Sequence, residues 1–241
     1  MNNKLIGGGL AVLILLILGY FVYSSQPLVS AQGEASLDVT PDEISVYSYI
    51  ETKNASLQDA QKANSEIREK AVERLLDMGI DEQDIQFINY QSYPWTEWSN
   101  GKSQNKGFVV SQQIVVKTKS FSKTPRIIDA VIESGALVQT IQLELSQEKQ
   151  NEYKSEALKL ASENAKAKAE SIAAGQGRSL GRLVSLKSND FNYYPHPYYM
   201  AKEGVASEDS MVEARQAAAS IAPQDLKVSG SVSVEYRLSF F

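Results

Sequence analysis

The chain has 241 residues, 24 Lys and Arg against 29 Asp and Glu for a formal charge of −5, and no cysteine. The lack of cysteine excludes disulfides, thiolate nucleophiles and cysteine-ligated metals. An acidic body without a basic cluster also argues against a nucleic-acid partner.

Residues Leu5 to Tyr23 form an uncharged apolar run preceded by Lys4. As a helix rising about 1.5 Å per residue it would be about 28 Å long, close to the thickness of a bilayer core. One reading is a retained membrane anchor over residues 1–23. Tyr20, Phe21 and Tyr23 would then sit at the outer interface, and Lys4 would keep the inner end in the cytoplasm. In that reading the membrane is a partner through residues 5–23, and the rest of the chain lies outside the cytoplasm. The other reading is a signal segment cleaved near Ala31, at Val29-Ser30-Ala31, which leaves a secreted or periplasmic protein. Length and the aromatic flank favour retention.

Residues 24–32 read as a linker, and one domain is expected over 33–241. Ala35 to Val39 is a short strand ended by the turn signal Thr40-Pro41-Asp42. Ile44, Val46, Ser48 and Ile50 alternate with Ser45, Tyr47, Tyr49 and Glu51, the period of a strand with one buried face. The glycosylation triplet Asn54-Ala55-Ser56 predicts an exposed loop. Ser56 then caps a helix with Asp59 three residues on. Leu57, Ala60, Ala63, Ile67, Ala71, Leu75 and Met78 line one stripe of it, and Gly79 closes it.

Strands are expected at 85–93 and 107–119, joined by a polar hairpin tip that carries Trp95 and Trp98. Thr124-Pro125 opens a further helix that Gly135 closes. Residues 137–145 form a strand, and Ser146 caps the longest helix, which runs to about Ala174. Its Ala157, Ala161, Ala165 and Ala169 recur at steps of four. Such a stripe lets another backbone approach closely, either the domain's own sheet, the commoner case, or a second subunit. A strand at 180–187 follows. The chain closes on an alternation in which Leu226, Val228, Val232, Val234, Tyr236, Leu238 and Phe240 share one face.

Helix, glycine, then strand occurs at Gly79, Gly135 and Gly175. With clean alternation in the strands, this predicts an α+β fold, a mainly antiparallel sheet with helices packed on one face. Residues 189–223 interrupt it with a tyrosine-rich insertion and a short helical stretch from Ser210 to Ile221. The insertion surrounds His196, the only histidine, with Tyr193, Tyr194, Tyr198 and Tyr199. Aromatic loops supply broad rigid contact area. These four tyrosines, with Trp95 and Trp98, are therefore the candidate partner-contact residues. His196 lacks a second histidine or a cysteine beside it, and Glu203, Glu208 and Asp209 form only a loose acidic neighbourhood. No catalytic, cofactor-binding or metal-binding residue is assigned, and the expectation is a non-enzyme without cofactor.

The order of these pieces resembles the SIMPL-domain family. Gly33-Glu34-Ala35 through Pro41-Asp42 is similar to its opening strand and turn. Leu76-Asp77-Met78-Gly79-Ile80 resembles its helix exit, and Ile128-Asp129-Ala130 to Gly135-Ala136 its short helix. Ala157 to Ala174 followed by Leu180-Gly181-Arg182-Leu183-Val184 resembles its long helix and strand entry, and Val228 to Leu238 its closing strand. Ile221-Ala222-Pro223-Gln224 departs from the family's Pro-Gly turn. The resemblance implies an envelope domain, sometimes a ring-like homo-oligomer, linked to envelope and oxidative-stress tolerance. It carries over no active-site residue. The leading expectation is a membrane-anchored domain that self-assembles or binds a protein partner. The alternative is a periplasmic carrier of a small ligand or lipid in the space between sheet and helices. A hydrolase using His196 ranks below both.

Overall fold

The structure, a computed structural model, describes residues 27–99, 101–201 and 208–239, together with Ile14 and Ile17. The expected membrane span over 5–23 lies outside the described residues apart from those two. No helix among the described residues is long and apolar enough to cross a membrane. Phe240 also lies outside them.

The strands form two sheets rather than the single sheet expected, and the chain divides into two compact units. One unit gathers the chain up to Leu37, Asn151–Tyr193 and the chain from Lys227 onward. The other holds Asp38–Gln150 and Tyr194–Leu226. The fold class is α+β, with every described strand pair antiparallel in the second unit.

The first unit is a three-stranded sheet of β1 (Leu28–Val39), β8 (Leu226–Ser239) and β6 (Ser179–Tyr193), in the order β1-β8-β6. Strand β1 starts at Leu28, inside the stretch read as linker, because Val29 and Ala31 are buried. The long helix α3 (Gln147–Gly175) covers the sheet with Ala161, Ala165, Ala169 and Ala173, all fully buried against Val232, Val234 and Leu238. The alanine stripe therefore serves the chain's own sheet. It brings the backbones together at Gly33, where a Cβ would lie 2.1 Å from the Ala161 carbonyl oxygen.

The second unit has the order β3-β4-β2-β5-β7, with β2 (Glu43–Asn54) at its centre. Around it lie β3 (Ile85–Ser99), β4 (Lys102–Thr118), β5 (Leu137–Glu144) and β7 (His196–Met200). Helices α1 (Leu57–Asp77), α2 (Thr124–Ser134) and α4 (Glu208–Ala219) share one core with the inner face of this sheet. Ile44, Val46, Ile50, Ile114 and Ile141 meet Leu75, Ile127, Ile128 and Ala214 there. The stripe on α1 predicted this face, and its caps behave as read. Ser56 accepts a hydrogen bond from the Asp59 N–H at 3.4 Å, and Gly79 leaves the helix at φ 71°.

The insertion at 189–223 is largely structured. Strand β6 runs on to Tyr193, β7 adds an edge strand against β5, and α4 packs on α2 through Arg215, 2.8 Å from Asp129.

Candidate functional site

The two strands around the tryptophans are longer than expected. Trp95 pairs with Gly107 and Trp98 with Ser103, and Ser99 pairs with Lys102. The ladder therefore runs on through the expected loop as far as Ser99 and Lys102, with Gly101 at φ 75°. Asn-Gly is the strongest short hairpin signal in a sequence, and it stands at positions 100–101. Strand β2 ends at Asn54, opposite Phe108. The five residue pairs beyond that point have only each other as strand partners among the described residues. They make a ribbon about 17 Å long at about 3.4 Å per residue.

Its root is pinned. Gly107 has φ 126°, its N–H donates to Asn105 Oδ1 at 2.8 Å, and a Cβ there would lie 2.2 Å from the Asn54 carbonyl oxygen. Lys53 stands 5.5 Å from the centre of the Trp95 ring while its ammonium meets Glu51 at 2.9 Å. The hydrogen bond to Glu51, and then that carboxylate's charge, raise the Lys53 pKa. Trp95 is thus half-buried at the root, whereas Trp98 near the tip is 79% exposed. Tyr90 and Tyr93 on the same strand are exposed as well.

The other candidate tyrosines divide sharply. Tyr198 donates to the Ser220 carbonyl at 2.7 Å and Tyr199 to the Ser210 carbonyl at 3.0 Å, so the pair ties β7 to both ends of α4. Tyr199 is 9% exposed and belongs to the core, which leaves it no face for a partner. Tyr193 is half-buried at the end of β6, and Tyr194 is 76% exposed. His196 is exposed on β7, in register with Leu143. Glu203 lies outside the described residues, and among them no group of three metal-ligating side chains is assembled.

A charged cluster that the sequence did not single out lies at the β2–β5 pair. Glu144 is buried and accepts from Ser45 Oγ at 2.8 Å and Tyr47 Oη at 3.1 Å. Lys117 Nζ lies 3.9 Å from Glu144 and 3.4 Å from Glu43, so two carboxylates share one ammonium. Burial first, and then the Glu144 charge, push the Tyr47 phenol up to about 12. A phenol held protonated is neither base nor nucleophile near neutral pH, so the cluster braces the sheet. With the folded pKa above the ordinary tyrosine value, Tyr47 contributes stability that is complete below pH ~10 and lost as pH rises through the folded value. In an alkaline absorbance titration, Tyr47 should ionise late among the 12 tyrosines, in company with Tyr49 and Tyr199, whose phenols burial also raises. Tyr47→Phe should shrink that late step by one phenol.

A family model described as SIMPL, protein of unknown function (DUF541), matches residues 29–236. The uncharacterised protein YggE of Edwardsiella ictaluri is 32% identical over 176 residues, 71% of this chain and 72% of that protein. YggE of Escherichia coli is 26% identical over 197 residues, 80% and 78% of the two chains. The 26 kDa periplasmic immunogenic protein of Brucella melitensis is 25% identical over 185 residues, 74% and 73% of the two chains.

Proposed function

Because the chain belongs to the SIMPL family, we propose that it is a non-enzymatic extracytoplasmic protein that associates with further copies of itself through the projecting hairpin. The observation that carries this reading is the ribbon with Trp98 exposed near its tip. A two-stranded ribbon is marginal in water by itself. Strand β3 is also a sheet edge, whose unpaired backbone groups suit the addition of a strand from a second chain. The same edge on a second copy is self-complementary about a two-fold axis. A role in envelope or oxidative-stress tolerance belongs to this reading and rests on the family resemblance alone.

The periplasmic name of the Brucella relative supports a released protein more than a tethered one. It also supports the second reading, a periplasmic small-ligand carrier. The space between the second unit's sheet and its helices is filled by fully buried side chains such as Ile44, Ile50, Ile114 and Ile128. A carried ligand would therefore use a surface.

Light scattering on the chain purified with its natural N-terminus tests the first reading. Association that strengthens with concentration and weakens in Trp98→Asp is the expected result. A strictly monomeric wild type overturns it. A small molecule retained in native mass spectrometry of that monomer moves the reading to the carrier.

A further inference from the structure

The outer face of the second unit's sheet carries a feature that neither the hairpin nor the core requires. Two different strands are bulged beside one residue, Gln113 of β4. In β3, Ile88 pairs with Gln113 and Gln91 with Ser111, so Asn89 and Tyr90 together oppose a single residue, Gln112. Asn89 has φ 55°, the one positive φ outside glycine among the described residues. Asparagine tolerates that conformation better than most residues, and a bulge whose first residue is left-handed re-aims the side chains beside it. In β5, Tyr47 pairs with Thr140 and Ser48 with Val138, which leaves Gln139 as the extra residue.

The two bulges converge on one polar series. Asn89 Nδ2 donates to Gln113 Oε1 at 2.9 Å, and Gln113 Nε2 donates to Gln139 Oε1 at 3.0 Å. The series crosses β2 at Tyr49, which is in register with Gln113 on one side and Leu137 on the other. Small-molecule clefts run from about 300 to 1,000 Å³, and this one, about 300 Å³, lies at the small end of that range, with Tyr49, Glu51, Gln91, Ser111 and Gln112 completing its walls. Each amide bond in the series uses one of two amide hydrogens. A hydrogen on Asn89, another on Gln113 and both on Gln139 are left over, together with the Asn89 carbonyl.

The chemistry of these walls selects a ligand class. An anion needs cationic walls, and no Lys or Arg lines this cleft. A cation needs free carboxylates, but the single one, Glu51, is paired with Lys53 at 2.9 Å. Amides that both donate and accept, a serine hydroxyl and a tyrosine ring suit a molecule that is neutral and carries several hydroxyl groups on a C–H framework. We propose that the amide series Asn89–Gln113–Gln139 and Tyr49 form a binding site for a neutral saccharide of one or two rings. The site uses neither Trp98 nor the hairpin tip, and its test reads sugar binding rather than association, so its failure is distinguishable from that of the proposed self-assembly.

Ligand-observed NMR with glucose, N-acetylglucosamine, maltose and chitobiose at millimolar concentration tests it on the intact protein, with inorganic phosphate as the charged control. At least one sugar should bind, and phosphate should not. Asn89→Gly keeps the left-handed bulge while removing the amide, and Gln113→Leu keeps the side-chain volume on an exposed face. Each should weaken sugar binding about tenfold or more while the melting temperature stays close to wild type. The proposal is overturned if none of the four sugars binds, if phosphate competes for the cleft, or if both folded variants bind as the wild type does.

Discussion

Gly33→Ala is expected to lower the stability of the chain by about 3 kcal/mol or more, a fall in Tm of roughly 6–12 °C for a protein of this size. The added Cβ would lie 2.1 Å from the Ala161 carbonyl oxygen and 2.3 Å from the Ala165 nitrogen. Both obstacles are helix backbone, so no change of rotamer relieves them. Strand β1 would have to lift away from α3 and uncover the alanine stripe that fills the first unit's core. Gly175→Ala is the control, because nothing lies within 4 Å of a Cβ there. Thermal unfolding followed by circular dichroism separates the two. A Gly33→Ala protein that melts with the wild type would show that β1 does not approach α3 this closely.

The second large effect is expected at the N-terminus. A chain that begins at Gln32 should be less stable than one that begins at Gln26 by about 3–5 kcal/mol. The shorter chain loses Val29, which is 6% exposed, and cuts at Ala31, which is 7% exposed, although both belong to the cluster under α3. It also loses Pro27, whose carbonyl accepts the Leu238 N–H at 3.0 Å. Burial of a valine stabilises by about 1.5–3 kcal/mol and each strand hydrogen bond by about 1 kcal/mol, which together give the stated range. Cleavage after Ala31 would thus remove the first third of β1 and leave a damaged sheet. Any processing should fall before Leu28, in agreement with a family match that starts at residue 29. Mass spectrometry of the mature protein gives its first residue directly. A mature chain that starts at Gln32 and unfolds no more easily than the longer form would refute this account.

Much of the secondary structure was legible because its signals are local. The stripe and caps of α1, Pro125 and Gly135 around α2, and the alternation of β8 each lie within one segment, and the structure keeps them. Strand β6 was read as half its length because its ladder to β8 shifts register three times, which breaks the period of two. The hairpin was cut short for a different reason. Its outer residues face water on both sides and so carry no apolar alternation, and only Asn100-Gly101 marks the turn. The candidate contacts divided on the same principle. Tyrosine and tryptophan look alike in a loop-like stretch, and only packing decides that Tyr199 is core and Trp98 is not. The amide series was invisible, since Asn89, Gln113 and Gln139 are ordinary polar residues on three separate strands.

By itself the sequence determined the α+β class, the buried faces of α1, α3, β2 and β8, the family, and the exclusion of cysteine chemistry. These follow from composition and from the short periods of 3.6 and 2 residues. The tertiary structure decided that there are two sheets, that β1 and β8 from opposite ends of the chain meet in one of them, and that two bulges converge on Gln113. Alternation reveals which side of a strand is apolar, but every strand offers the same backbone donors and acceptors. The choice of neighbour is made by packing between segments that lie tens to about two hundred residues apart, and that information is present only when the chain has closed on itself.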